Sequence, residues 1–206
     1  GSSAPTEVAA YRARHVVGDI VAAIEALGSP LDLLVAHDWG GALAWNLAAQ
    51  RPDLLRRLLV INSPHPATFL RELLHNPQQQ AASAYMNFLC RADAESLLAE
   101  GDFRRMWPFL QDASWLTPEV REQYRQAWAN EGRGLTGGLN YYRASPLRPP
   151  TGPDSAVHQV RLPDDAVTSR VPTTVLWGER DKALLPELLH GLERWVPHLR
   201  IERVPE

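Results

Sequence analysis

Apolar positions along this chain fall into short continuous runs that predict buried β-strands. The first, residues 33–36, reads Leu-Leu-Val-Ala and has the length of a strand buried on both faces. Further apolar runs lie at residues 58–61, 173–177 and 199–204. Because helical patterns separate these runs, the sequence predicts the α/β class with a mostly parallel sheet.

Helical spacing of apolar residues follows or precedes each strand run. Val17, Ile20, Ile24 and Leu27 recur at such spacing, and Gly28 then stops the helix. A second helix is predicted over residues 186–195. Residues 67–169 contain helical stretches, most of the Trp and Tyr residues and no Val/Ile strand run, which indicates a helical cap inserted between two strands.

The chain must turn sharply at Asp38, between the first strand run and the helical pattern that begins at Gly40. Ala36 and Gly40 flank Asp38 at a spacing of two. A strained strand-to-helix turn requires small residues there, because a larger side chain would collide across the turn. The Asp38 carboxylate is predicted to stand exposed at the tip; alternatively, it only caps the helix over residues 40–49.

A carboxylate at such a tip suits substitution at saturated carbon. A hydroxyl nucleophile would leave an ether that water does not cleave usefully, whereas a carboxylate leaves an ester that activated water can open. The backbone N–H of Trp39, at the start of the helix, is a candidate donor to the oxyanion formed in that second step.

The stretch His37-Asp38-Trp39-Gly40-Gly41 resembles the nucleophile motif of α/β-hydrolases of the epoxide hydrolase and haloalkane dehalogenase branch. The resemblance covers essentially the whole chain through Asn62-Ser63-Pro64-His65-Pro66, Leu139-Asn140-Tyr141-Tyr142-Arg143 and Gly178-Glu179-Arg180-Asp181. It implies an α/β-hydrolase core formed by residues 1–65 and 171–206, with a helical cap over residues 66–170. The Asn-Tyr-Tyr-Arg stretch favours epoxides as substrates.

The resemblance also implies partners for the nucleophile. Asp181 stands where the family holds the acid that orients its catalytic histidine, with Glu179 as a competitor and a loop or N-cap role as the alternative. Tyr85 and Tyr142 are candidates to hold and protonate the epoxide oxygen, since ring opening creates an alkoxide. The alternative for both tyrosines is aromatic core.

Residues beside the nucleophile have a second set of expected roles. Trp39 and His37 are oxyanion or pocket candidates, although Trp39 could also simply pack under the cap. Neither His37 nor His65 follows the last strand, where the family's base lies, so both are interpreted as supporting or structural. No His-x-x-His or cysteine cluster of metal-ligand spacing occurs, so neither a metal nor a cofactor is implied.

Composition narrows the partners to small molecules. The 206 residues carry a net charge of −3 with both signs interspersed, which suggests neither a nucleic acid nor an anionic membrane surface. No apolar run approaches the ~20 residues of a membrane span. The single cysteine, Cys90, fits a reducing compartment, so a cytoplasmic location is expected. The expected partners are an epoxide and water; the oligomeric state is open.

Two parts of the family's machinery are expected outside this stretch of sequence. The His-Gly-x-Pro loop, which supplies the second oxyanion N–H, belongs upstream of Gly1, and the catalytic histidine belongs downstream of Glu206. We therefore expect a fragment of a longer enzyme, inactive by itself, whose strand ending near Asp38 has a partly bare edge. Residues 1–5, Gly-Ser-Ser-Ala-Pro, are typical of a loop in mid-fold.

Three functions follow from these features. The leading one is an epoxide hydrolase that opens an epoxide to a vicinal diol through an ester on Asp38. A haloalkane dehalogenase would use Trp39 as a halide donor, but Tyr142 argues against it. A catalytically inert hydrolase-like binding protein would explain the missing base, but the preserved Asp38, Asp181 and Tyr142 argue against it.

Overall fold

The computed structural model describes residues 3–110, 114–130 and 134–205, and its chain divides into two compact units. One unit consists of Arg12–Tyr85 and Ser145–Glu206, and the other of Gly1–Tyr11 and Met86–Ala144. We call them the sheet unit and the helical unit. Gly1 and Ser2, which contribute to the expected mid-fold loop, lie outside the described residues.

The sheet unit is built on four parallel strands in sequence order. They are β1 (Leu34–His37), β2 (Leu58–Ile61), β3 (Thr173–Gly178) and β4 (Leu199–Val204). Each strand pairs in parallel with the next, so Leu34 aligns with Leu58, and Leu58 aligns with Thr173. Parallel pairing places the carboxyl ends of all four strands at one edge of the sheet, where the side chains that follow them converge.

The core of this unit lies around the two middle strands. Side chains of β2 and β3 that point to one face are almost fully buried: Leu58, Val60, Val175 and Trp177. The strand β1 differs, because Val35 is 52% exposed. The prediction that this run is buried on both faces is therefore wrong for β1, which is the end strand of the described sheet and has β2 on one side.

The sheet unit also contains helices, one of which packs directly against the strands. These helices are α1 (Ala13–Leu27), α2 (Asp38–Gln50), α3 (Pro66–His75), α4 (Pro77–Ala82) and, near the end of the inserted region, α9 (Asp164–Val167). The helix α1 stops as predicted, since Gly28 has φ +97°, a conformation that glycine adopts without steric cost. The helix α2 contacts α1, α9, β1 and β2.

The helical unit contains most of α5 (Tyr85–Leu89), together with α6 (Ala94–Phe103), α7 (Pro118–Ala129) and α8 (Leu135–Ala144). Arg143 in α8 forms a bidentate ion pair with Glu95 in α6, with both N···O distances at 2.6 Å. The Asn140 amide donates to the Thr6 carbonyl at 3.1 Å. As the helical pattern predicted, the described residues between 67 and 169 contain no strand.

The strand predictions at residues 58–61, 173–177 and 199–204 are confirmed, but the predicted helix over residues 186–195 is wrong. Two short 3-10 turns stand there instead, Pro186–Leu189 and Leu192–Arg194. Gly191, which lies between the two turns, has φ +72°. The Arg71 guanidinium donates hydrogen bonds to the carbonyls of Glu187 and His190 at 3.0 and 2.7 Å. Those carbonyls are therefore engaged by α3 instead of a continuing helix.

The boundaries of the two compact units also differ from the expected domain boundaries of 1–65, 66–170 and 171–206. Residues 66–85 and 145–170 group with the sheet. For α3 the reason is the contact through Arg71, and for α9 it is Asp164, which accepts hydrogen bonds from Arg194 and Trp195 at 2.7 and 2.9 Å. Whether residues 66–170 act as one cap stays a prediction.

Candidate active site

Asp38 is the first residue of α2 and directly follows β1, so the turn between strand and helix is as sharp as predicted. Its φ is +50°, in the left-handed region that costs an L-residue about 1–2 kcal/mol. The residue is exposed. A non-glycine residue held in this conformation at a strand-to-helix turn is typical of a nucleophile elbow.

The Ser63 side chain connects the elbow to the residues just after β2, a role that the sequence motif at residues 62–66 did not reveal. The Ser63 hydroxyl donates to the Asp38 carbonyl at 2.7 Å, and the Trp45 indole N–H donates to the Ser63 carbonyl at 3.2 Å. A Cβ on Gly41 would stand 2.3 Å from the Ser63 Cβ, so α2 approaches Ser63 as closely as glycine allows.

The position that requires a glycine for lack of space is therefore Gly41. The prediction that a larger side chain would collide at Gly40 is wrong. A Cβ at Gly40 would meet nothing within 4 Å among the described residues outside its own helix backbone and chain neighbours. The physical reason is rotational: residue 40 faces away from β2, while the next residue along the helix faces it.

The Asp38 carboxylate is turned toward the start of its own helix. The Trp39 backbone N–H donates to Asp38 Oδ2 at 2.6 Å. This is the N–H that the sequence suggested as an oxyanion donor, and it already lies on a carboxylate oxygen. This contact leaves the other carboxylate oxygen, Oδ1, unengaged by the Trp39 N–H.

A second carboxylate, that of Asp181, stands just beyond the carboxyl end of β3. Its Oδ1 accepts from the backbone N–H groups of Ala183 and Leu184 at 2.8 and 2.9 Å. Its Oδ2 accepts from the Asn62 amide at 2.8 Å. Three donors fix the orientation of this carboxylate, and one of them, Asn62 just after β2, was not predicted from the sequence as a site residue.

Glu179, the competing acid, is engaged elsewhere. Its Oε1 accepts from the Arg203 guanidinium of β4 at 3.0 Å, and its backbone N–H donates to the Val204 carbonyl at 2.8 Å. The two acids therefore have different partners. Glu179 bonds β4 through Arg203, whereas Asp181 accepts a hydrogen bond from Asn62, just after β2. This arrangement favours Asp181 as the acid of the site.

His65 is a buried structural residue, as interpreted from the sequence. It is 1% exposed, its Nε2 bonds the Val167 carbonyl at 2.9 Å, and its Nδ1 accepts from Ala67 N–H at 3.3 Å. The ring lies edge-on to Trp45 and stacks on Trp195 at centroid distances of 5.1 and 5.6 Å. Burial lowers its pKa to about 4, against the opposing effect of the Val167 carbonyl, so the imidazole is neutral at pH 7.

Comparison with known proteins places this geometry in a family. The family model described as the alpha/beta hydrolase fold matches residues 1–206. The chain belongs to the alpha/beta hydrolase fold family. The predicted fold class and the resemblance on which it was based are therefore confirmed.

Individual relatives of this alpha/beta hydrolase are similar at about 30% identity. The chain is 32% identical to "Epoxide hydrolase 3" of Xenopus tropicalis over 216 residues, covering 100% of the chain and 55% of that protein. It is 31% identical to "AB hydrolase superfamily protein YfhM" of Bacillus subtilis (strain 168), covering 96% of the chain and 66% of that protein. The chain thus spans about half to two thirds of the length of these curated relatives.

Solved structures of epoxide hydrolases share the fold of this alpha/beta hydrolase. A Bacillus megaterium epoxide hydrolase in complex with an inhibitor superposes with a TM-score of 0.85 at 29% identity, covering 98% of this chain and 71% of that one. An epoxide hydrolase from metagenomes of hot environments superposes with a TM-score of 0.81 at 37% identity, covering 100% and 70%.

The remaining predicted site residues of this alpha/beta hydrolase occupy both units. His37 is the exposed last residue of β1, and Tyr85 is the half-buried first residue of α5, in the sheet unit. Tyr142 lies in α8 of the helical unit and is half-buried. Their roles beside Asp38 stay predictions.

The described part of this alpha/beta hydrolase has neither a cluster of metal-ligating side chains nor a helix suited to span a membrane. Among residues 3–110, 114–130 and 134–205, no three His, Cys, Asp or Glu side chains group so that they could hold a metal ion. Within the same ranges, none of the helices combines the length and apolar character needed to cross a membrane.

Proposed function

We propose that the whole protein is an epoxide hydrolase that opens an epoxide to a vicinal diol through an ester on Asp38. The observation that carries this proposal is the exposed carboxylate at φ +50°, with the Trp39 N–H 2.6 Å from Oδ2. An aspartate in that position is suited to attack saturated carbon and to be regenerated by water.

The first half of the reaction is attack by Asp38 Oδ1 on an epoxide carbon. The C–O bond of the ring breaks, a carbon–oxygen bond to the carboxylate forms, and the ring oxygen leaves as an alkoxide that needs a proton. Tyr85 and Tyr142 are proposed as the phenols that hold this oxygen and protonate it, because an alkoxide is a poor leaving group in neutral water without such donors.

The second half is hydrolysis of the ester at its carbonyl carbon. Water attacks, the carbonyl oxygen of the ester becomes an oxyanion, and the Trp39 N–H is proposed to stabilise it, since that N–H already contacts Oδ2. The ester collapses to the Asp38 carboxylate and the diol. His37 beside the elbow is proposed as a pocket residue.

Water activation needs a base, which we assign to a histidine of the whole protein outside residues 1–206, oriented by Asp181. His65 is unsuited, because both of its ring nitrogens are engaged. The strands β1 and β3 flank β2, so their carboxyl ends are about 10 Å apart. An imidazole bonded to Asp181 on one side and to a water at the ester on the other spans roughly that distance.

Support for epoxides as the substrate class comes from the tyrosines and from the relatives. The relatives from Xenopus tropicalis and Bacillus megaterium are described as epoxide hydrolases. A haloalkane dehalogenase is the competing reaction at the same aspartate, and it differs in needing halide donors where an epoxide hydrolase needs phenols.

Isotope labelling of the whole protein tests the proposal. In a single turnover of an aryl epoxide in ¹⁸O water, we expect the heavy oxygen to appear first in the Asp38 carboxylate, because water attacks the ester carbonyl. Mass spectrometry of the peptide that contains Asp38 measures this. Label found directly in the diol, with none in the protein, would contradict the ester route; halide release from a haloalkane with no epoxide turnover would favour the competing reaction.

A further inference from the structure

The Asp181 carboxylate is held from two independent directions. Its own turn supplies the N–H groups of Ala183 and Leu184 to Oδ1. The Asn62 amide, from the end of β2, supplies the donor to Oδ2 at 2.8 Å. Bonds within one turn move with that turn, whereas the bond from Asn62 fixes the carboxylate relative to the neighbouring strand.

The backbone at Asn62 is adapted to this position. Its φ is +36°, in a region that Asn, Asp and Gly tolerate far better than other residues. Ordinary side chains are thereby disfavoured at the position. From this position just after β2, the Asn62 amide bonds the backbone of Gly178 in β3.

The orientation of the Asn62 amide is set by Gly178, the last residue of β3. Asn62 Oδ1 accepts from the Gly178 N–H at 2.8 Å, and Nδ2 donates to the Gly178 carbonyl at 3.3 Å as well as to Asp181. A flipped amide would place Oδ1 against a carboxylate oxygen and Nδ2 against an N–H. The donor to Asp181 is therefore specified by the backbone of the adjacent strand.

The turn after Asp181 is braced by Gln79 of α4, which is fully buried. Gln79 Nε2 donates to the Ala183 carbonyl at 2.7 Å, and its Oε1 accepts from the Leu185 N–H at 3.0 Å. The two N–H groups that hold Asp181 Oδ1 thus belong to a turn that is itself tied down. Both sides of the carboxylate have a rigid support.

We propose that Asn62 is a positioning residue for the water-activating half of the reaction, acting through Asp181 on the base histidine. This rests on the proposed function. A base histidine presents a lone pair to water only when its other nitrogen is held in the correct tautomer and direction by the acid. Ester formation at Asp38 needs no base. Loss of the Asn62 donor therefore slows ester hydrolysis and leaves ester formation unchanged.

The substitution Asn62→Asp isolates the donor. It keeps the side-chain shape, the tolerance for positive φ and the acceptor for Gly178, but it replaces the amide donor by a second carboxylate beside Asp181. In single-turnover reactions of the whole protein with styrene oxide, followed by quenching and intact-mass measurement, we expect the Asp38 ester to accumulate. Hydrolysis of that ester should slow by about 10²-fold, with the rate of its formation unchanged.

Two further variants complete the experiment. Asn62→Gly keeps the backbone conformation and removes the amide, so the ester should also accumulate, even if Asn62→Asp folds poorly. Asn130→Asp makes the same exchange at an exposed residue that ends α7, and both rates should match the wild type.

The outcomes separate this proposal from the proposed function. Equal slowing of ester formation and hydrolysis, or no change in either variant at position 62, overturns the positioning role while the wild-type cycle stands. A wild-type protein that converts the epoxide without ever modifying Asp38 overturns the proposed function, and this proposal with it.

Discussion

A single imidazole shows how burial changes the role of a residue type. His65 follows by two residues Ser63, which bonds the Asp38 carbonyl, and the His65 ring contacts Trp45 of α2. Its two nitrogens hold the start of α3 and the Val167 carbonyl, and its lowered pKa keeps it neutral. We therefore expect His65 to stabilise the sheet unit and to take no part in proton transfer.

This burial predicts a pH dependence of stability. Because the pKa of His65 falls from 6.5 to about 4 on folding, the unfolded chain binds the proton more tightly between those values. The free energy of unfolding should be unaffected by His65 above pH 6.5 and should fall by about 3 kcal/mol as the pH drops from 6.5 to 4, with little further change below that. Urea unfolding of the whole protein at several pH values measures this.

The variant His65→Asn keeps an acceptor for the N–H at the start of α3 and should be less stable than the wild type at pH 7. Between pH 6.5 and 4, its free energy of unfolding should depend on pH much less than that of the wild type. His75→Asn, at an exposed histidine in the last turn of α3, should keep the wild-type slope. An unchanged slope in His65→Asn would contradict the assignment.

At the scale of elements, the contact between α2 and the end of β2 decides how the elbow is held. The helix can approach because Gly41 has no side chain, and the approach lets Ser63 bond the Asp38 carbonyl. That bond contributes about 0.5–1.5 kcal/mol, comparable to the cost of the left-handed backbone at Asp38.

Paired glycine substitutions test this packing. Gly41→Ala should lower the free energy of unfolding by about 1–3 kcal/mol, because the new methyl group overlaps Ser63. Gly40→Ala should leave stability unchanged or raise it by up to ~1 kcal/mol, since alanine favours a helix and the site is open. Thermal unfolding of both variants measures the difference. Equal effects at the two positions would mean that the close approach does not exist.

At the scale of the whole molecule, the proposed roles are distributed over both units. The nucleophile, its acid and Asn62 belong to the sheet unit, where parallel strands bring their carboxyl ends to one edge. The proposed phenol of Tyr142 belongs to the helical unit, in α8, which Arg143 fastens to Glu95.

Adjacent tyrosines in α8 provide a matched test of that distribution. Tyr142→Phe should slow ester formation by about 10²-fold, the usual contribution of a general acid. Tyr141→Phe should have no effect on that rate, because Tyr141 packs edge-on against Tyr11 at 5.2 Å within the helical unit. Rapid-quench measurement of the Asp38 ester compares them. Similar rates in both variants would remove Tyr142 from the mechanism.

Much of the fold was determined by the sequence alone, because strand runs and their helical separators are local patterns. The positions of all four strands, the stop of α1 and the sharp turn at Asp38 follow from apolar runs, glycines and the residues that flank them. The helix predicted at 186–195 failed because its carbonyls are taken by Arg71, which is more than a hundred residues away along the chain.

The residues of the candidate site likewise fall into those that the sequence predicted and those that only the structure revealed. Asp38 was predicted from the small residues that flank it at the end of a strand run, whereas Asp181 was predicted from the family resemblance at Gly178-Glu179-Arg180-Asp181. Asn62, Ser63 and Gln79 were missed because their significance lies in hydrogen bonds to other segments. The sequence by itself determined which strand ends carry carboxylates; only the tertiary structure decided which neighbours hold them, because parallel pairing joins residues that no local pattern connects.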